Sequence, residues 1–216
     1  MTSAEQLTPA NHRTRVGQQR RARTQARIIQ AALHVFAEKG PDAAVIDDFI
    51  RAAAVARGTF YNYFKSVDEL LEATSRWLID GSIAWIEVAL GNREDPAERF
   101  DLGVRLFMSK VQSDPVWCRF IVRTWAVGEL EYPLRDIRQG VQQKLFHTPS
   151  IEAARDLQMG TLREAMLRII SGQVPVGYAE QIAEICMQGL GLERQRIAHI
   201  MALPLPSLPR PIGAPA

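Results

Sequence analysis

The alternation of apolar and polar positions predicts a chain built from helices. Between Val45 and Phe64, apolar residues at Ile46, Phe49, Ile50 and Ala53 fall on one helical face. Ala54-Val55-Ala56 interrupts that face, and Phe60 and Phe64 open a second, shorter set. Two short helices joined by so brief a turn form a helix-turn-helix. Ahead of it, Ile29, Ala32, Leu33 and Phe36 predict a helix over about 23–39, closed by Gly40-Pro41. His34 lies among these residues and reads as a packed or capping histidine. The three helices make a head with a core of Ile29, Leu33, Phe36, Ile46, Phe49, Val55, Phe60 and Phe64.

Ser66-Val67-Asp68-Glu69 has the capping-box pattern and starts a long helix to about Leu90, with Leu70, Leu71, Thr74, Trp77, Leu78, Gly81 and Trp85 inward. Asp95-Pro96 and Asp114-Pro115 each pair a cap residue with proline at the first helical position. They open helices carrying Phe100, Val104, Phe107, Met108 and Val111, then Val116, Trp117, Phe120, Ile121, Thr124 and Trp125. Leu134, Ile137, Val141 and Leu145 give another amphipathic helix, closed by His147-Thr148-Pro149. Two long helices follow, over about 151–171 and 175–201. Each is apolar on more than one side and must be buried on more than one side, as in a dimer interface built from two helices of each subunit. This reading gives an all-α protein. It has a basic disordered arm (1–20), a three-helix head (21–66), a six-helix body (67–201) and a proline-rich tail (202–216).

The outward side of the second helix of the helix-turn-helix carries Arg57, Thr59, Tyr61, Asn62 and Tyr63 and no acid. Hydroxyls suit phosphate oxygens, while an amide or a guanidinium fork can pair with a base edge in the major groove. The run Gly58-Thr59-Phe60-Tyr61-Asn62-Tyr63-Phe64, followed by Ser66-Val67-Asp68-Glu69-Leu70-Leu71, resembles the signature of the tetracycline-repressor (TetR) family. The resemblance covers about 22–71. It implies a homodimeric transcription regulator, usually a repressor, that binds double-stranded DNA at a palindromic operator and a small molecule in its second domain. DNA-binding residues are then expected at Arg20, Arg21, Arg23, Arg51, Arg57, Gly58, Thr59, Tyr61, Asn62, Tyr63 and Lys65. Four positions depart from the pattern: Val45 in place of a capping Thr, Ala54 in place of the turn Gly, Ala56 in place of Ser, and Val67 in place of a phosphate-binding Lys. A left-handed Ala54 would cost roughly 1 kcal/mol, and each lost cap roughly 0.5–2 kcal/mol.

Charge sharpens this picture. Net charge is only +2, yet residues 1–65 hold 10 Lys/Arg against 5 Asp/Glu and residues 66–216 hold 16 against 19. A basic end on a slightly acidic body suits contact with a polyanion at one end. Arg13, Arg15, Arg20, Arg21, Arg23 and Arg27 occupy a stretch without acids. It reads either as a solubilising tail or as an arm that follows phosphates or enters the minor groove.

Cys118 and Cys186 have no metal-type spacing and read as buried thiols. No signal-peptide core and no membrane-length apolar run is visible, so a cytoplasmic protein is expected. The four histidines, His12, His34, His147 and His199, have no nucleophile or metal partners at recognisable spacing, and no glycine-rich phosphate loop occurs. No catalytic residue, metal or cofactor is expected. Trp77, Trp85, Phe107, Met108, Trp117, Phe120, Trp125 and Met166 are core residues or the walls of a cavity for an apolar or amphipathic effector. The alternative is a helical interaction protein with non-specific DNA contact and no effector.

Overall fold

The computed structural model describes residues 9–125, 132–172 and 174–207, the side chains of 9–14 and 132–133 excepted. All regular structure among them is helical, and the chain divides into two units at Thr74/Ser75.

The first unit holds α1 (Pro9–Lys39), α2 (Ile46–Ala53) and α3 (Arg57–Tyr61) and the first turns of α4 (Val67–Leu90). α1 begins at Pro9, which corrects the expected disordered arm for residues 9–20; Met1 to Thr8 lie outside the described residues. The physical reason is composition. From Ala10 to Arg23 the segment is rich in Arg, Gln and Ala, all good helix formers, and its one glycine costs about 1 kcal/mol without ending the helix. The head core contains Ile28, Ile29, Ala32, Phe36, Phe49, Ala53, Phe60, Phe64 and Leu70, all buried. Leu33, Ile46 and Val55, expected in this core, are only half-buried, and His34 is exposed rather than packed. Phe36 and Phe49 meet with ring centroids 4.8 Å apart and join α1 to α2.

The second unit begins within α4 and adds α5 (Pro96–Ser113), α6 (Pro115–Arg123), α7 (Tyr132–Gln142), α8 (Ile151–Ile170), α9 (Tyr178–Gly189) and α10 (Arg194–Met201). Asp95 caps α5 by accepting from the N–H groups of Ala97 and Glu98 at 2.9 and 3.0 Å, with Pro96 at the first helical position. Asp114 does the same for α6, accepting from Trp117 N–H at 3.0 Å. α5 is the central element and packs against α6, α7, α8, α9 and α10. Of the expected α4 face, Leu70, Leu71, Thr74 and Leu78 are buried, but Trp77 is 41% exposed and Gly81 is exposed as well. The buried stripe continues instead through Ile86 and Leu90.

The last long helix is two helices, so the body has seven among the described residues rather than six. Gly191 breaks it at φ 71°, in the left-handed region. A Cβ there would lie 2.4 Å from the His147 carbonyl oxygen. The close approach is held by His147 N–H donating to Leu190 O at 2.8 Å. At the end of α10, Arg105 donates to the Leu203 carbonyl from both terminal nitrogens at 3.2 Å and is itself held by buried Asp101. The tail expectation beyond Ser207 lies outside the described residues. Because left-handed strain and steric overlap act together at Gly191, Gly191→Ala should lower unfolding free energy by about 2–3 kcal/mol in denaturant titration.

Candidate functional site

In the first unit the helix-turn-helix is held together by one carboxylate. Val45 has no side-chain acceptor, so α2 lacks half of a capping box. Asp48 supplies the other half by accepting from Val45 N–H at 3.1 Å, and it also accepts from Lys39 Nζ at 2.6 Å. These two bonds, the lysine first, hold the Asp48 carboxyl below its ordinary range. The turn follows with Ala54 at φ 49°, ψ 51°, left-handed as expected, its N–H bonded to Arg51 O at 3.2 Å. α3 then starts at Ala56 with no side-chain cap.

α3 and α1 frame an open groove lined by Gly17, Arg20, Arg21, Thr24, Thr59, Asn62 and Tyr63. Five expected DNA-binding residues, Arg20, Arg21, Thr59, Asn62 and Tyr63, therefore come together. Arg21 sits over the Tyr63 ring, 5.6 Å from its centroid, which orders both at the groove edge. Thr24 was not anticipated; its hydroxyl donates to Arg20 O at 3.1 Å. Its place one turn after Arg20 and Arg21 on α1 was the signal available. Tyr61 is 44% exposed and stands edge-on to Phe60 outside the groove. Arg57 is paired with Asp47, and both side chains are largely exposed. Such a pair is worth about 0–1 kcal/mol and leaves the guanidinium easy to recruit. Arg51 lies 4.0 Å from Asp48 and is 80% exposed. Arg23 and Lys65 are exposed outside the groove, and a Cβ at Gly58 would meet nothing within 4 Å. At the start of α4, Ser66 Oγ accepts from Glu69 N–H at 3.1 Å, while Glu69 reaches back to Lys65 N–H at 2.7 Å, one residue earlier than in a closed capping box.

The second unit contains an apolar cavity of about 70 Å³. Leu78, Ile79, Ser82, Ile83 and Ile86 of α4 form one wall. Phe100, Val104 and Phe107 of α5 form another, with Trp117, Ile121 and Trp125 from the α6 region and Met159 and Leu162 of α8 completing it. Of the eight expected cavity residues, Phe107, Trp117 and Trp125 line it. Met108, Phe120 and Met166 are fully buried core, Trp85 is half-buried against Leu90 and its neighbours, and Trp77 is exposed. Phe107 and Trp117 pack edge-to-face with centroids 5.3 Å apart.

One acid reaches this wall, and sequence reasoning missed it. Asp136 of α7 is 1% exposed. Its Oδ1 accepts from Arg99 Nε at 3.0 Å, and Arg99 also forks onto Glu87 of α4 at 2.8 and 3.0 Å. Arg135 joins Glu87 at 2.8 Å. Burial raises the Asp136 carboxyl above its ordinary range, opposed by Arg99. The thiols of Cys118 and Cys186 are buried and unpaired, raised by burial to about 11 and about 12, and stay protonated. No described helix is long and apolar enough to cross a membrane.

Residues 28–74 match the family described as bacterial regulatory proteins, tetR family. An uncharacterized HTH-type transcriptional regulator, YvdT of Bacillus subtilis strain 168, is 41% identical over 69 residues, 32% of this chain and 36% of that protein. The chain thus aligns with about a third of that relative's length. Among solved structures, ligand-free RolR superposes with a TM-score of 0.69 at 24% identity, covering 86% of this chain and 100% of RolR. RolR in complex with resorcinol gives a TM-score of 0.64. A TetR family transcription regulator from Marinobacter aquaeolei VT8 gives 0.68 at 16% identity, covering 80% and 98%. These structures share the fold.

Two substitutions test the head. Ala54→Gly should stabilise it by about 0.5–1 kcal/mol in denaturant unfolding, because the left-handed strain disappears. For Asp48 the folded carboxyl titrates below the ordinary carboxylate range, so its stabilisation is present above that range and lost as pH falls through the folded value. Asp48→Asn should therefore destabilise at pH 7, and the difference from wild type should shrink towards pH 2. A constant difference across that range would mean that the charge of Asp48 contributes nothing.

Proposed function

We propose that this chain, whose residues 28–74 match the family of bacterial regulatory proteins, tetR family, is a regulator of that family that represses transcription from a palindromic operator until a small effector releases it. The observation that carries this reading is the groove in which Arg20 and Arg21 of α1 face Thr59 of α3 and Asn62 and Tyr63 in the turn that follows it. Arginines and hydroxyls on its rim meet phosphates, while Asn62 offers an amide to a base edge. Gly58 supports the same reading. A Cβ there would have open space in the free protein, so the fold does not require glycine. A DNA backbone drawn against α3 would require it.

Reading a palindrome needs two heads whose recognition helices sit about 34–36 Å apart. In the body, Leu157 and Ile170 of α8 and Ile185 of α9 are 51%, 40% and 54% exposed, an apolar surface on two packed helices that suits a second copy. The effector site is the body cavity. RolR, whose fold is shared, binds resorcinol, and an aromatic-walled cavity here suits an effector with an apolar body. α4 starts directly after Ser66 and carries cavity residues from Leu78 to Ile86. A ligand that prefers a different setting of α4 shifts the population away from the DNA-competent form.

Footprinting the purified protein on the DNA upstream of its own gene tests this reading. Protection of a two-fold symmetric site is expected; uniform weak binding would favour an interaction protein with non-specific contact. Asn62→Ala should lose about 1–3 kcal/mol of discrimination at one base pair per half-site. Equal losses on operator and random DNA would remove Asn62 from base reading. Gly58→Ala should leave thermal stability equal or higher, since Ala gains up to about 1 kcal/mol in a helix, yet weaken operator binding. Saturating operator should weaken effector binding by the factor with which effector weakens operator binding, about 5–150-fold, measured by calorimetry.

A further inference from the structure

We propose that Asp47 is a positioning residue for DNA reading: it holds the Arg57 guanidinium so that the remaining donors pair with one guanine in each half-site. The inference rests on the reading of the first unit as a sequence-specific DNA-binding head. It starts from the leading end of α3. Arg57 is the first residue of that helix and stands between Ala56, which offers no side-chain cap, and Gly58. Of the first three residues of α3, only Arg57 has a long side chain. The leading residues of a recognition helix are those that meet base edges in the major groove. Arg57 does not face that groove alone. Its Nη2 donates to Oδ1 of Asp47 on α2. Among the described residues Nε and Nη1 donate to nothing, so most of the five-donor fork stays open.

Charge decides what this arginine meets. Phosphates select net positive charge. Among the described residues Arg20 and Arg21 of the groove have no acid partner, and they keep their full charge for the backbone. Arg57 and Asp47 together are neutral, so the pair gains little from phosphates. What the pair keeps is direction. Asp47 fixes one corner of a planar group whose other N–H groups then point in set directions. A guanine edge presents two neighbouring acceptors, O6 and N7, that match two such donors. Adenine offers one acceptor beside a donor, cytosine a donor, and thymine one acceptor beside a methyl group. In the free protein both side chains are largely exposed and water screens the pair. Against DNA that water leaves and the attraction grows, so the fork is held most firmly when it reads.

The test is selection of binding sites from a random double-stranded DNA library by the full chain, by Arg57→Ala, by Asp47→Ala and by the double variant. Wild type should enrich a two-fold symmetric site with one guanine per half-site whose preference Arg57→Ala abolishes, a loss of about 5–150-fold at that position alone. Asp47→Ala should reduce the same preference at least about three-fold and leave the other positions as they were. A residue that only supported the fold would weaken every position together. In the double variant, loss of Asp47 should add nothing to the loss of Arg57. Both side chains lie outside the head core, and thermal unfolding checks that each variant is folded. An Arg57→Ala protein that binds all sequences equally more weakly would make Arg57 a phosphate contact and overturn the proposal. So would an Asp47→Ala protein that binds more tightly with the guanine preference intact. Either result leaves the regulator reading standing. If folded wild type enriches no site at all, that reading falls and this inference falls with it.

Discussion

Arg99 is the contact on which the body depends. It is a residue of α5 that holds Glu87 on α4 and Asp136 on α7 with one guanidinium, and its side chain is 8% exposed. Burying a guanidinium costs several kcal/mol before any partner is counted, and the cost is offset only if each donor is used. Here Nε, Nη1 and Nη2 all donate, the second to Arg93 O at 3.2 Å. Three helices are thereby fixed in register around a small void. Asp136, held by the bond from Nε, is the one acid among the described residues that line that void.

The head rests on a thinner set of interactions. Val45, Ala54 and Ala56 each withhold a local device that a helix-turn-helix ordinarily uses, and the turn adopts its left-handed conformation regardless. What compensates is not local. Phe36 against Phe49, with Phe60 and Phe64 buried beneath, fixes the crossing of the helices, and Asp48 ties the end of α1 to the start of α2. Burial of those aromatic rings outweighs the deficits of the turn.

Much of this was legible along the chain. The helix-turn-helix declared itself through its break in periodicity, and the Asp-Pro pairs marked the starts of α5 and α6 to the residue. Where reading failed, the cause was tertiary. Gly191 looks like any mid-helix glycine until the His147 carbonyl is seen pressed against it. Trp77 follows the apolar pattern of α4 yet lies off the buried stripe, which runs instead through the small polar Thr74 and Ser75 and on to Leu78. Asp136 could not be singled out, since one acid among 24 has no sequence mark of burial. Only the convergence of α4, α5 and α7 gives it meaning.

The small size of the cavity has a kinetic side. Free space of about 70 Å³ is less than the roughly 150 Å³ in which an apolar protein cavity takes up benzene, so a ring-sized effector would need the Trp, Phe and Met walls to yield. Association is then gated by the frequency of those openings rather than by diffusion, and falls below the rate of an open site. Once the walls close again, escape waits for the same rare opening. Under the proposed effector reading, a cell carrying such a sensor would answer slowly to a pulse of effector and hold its answer after the pulse has passed.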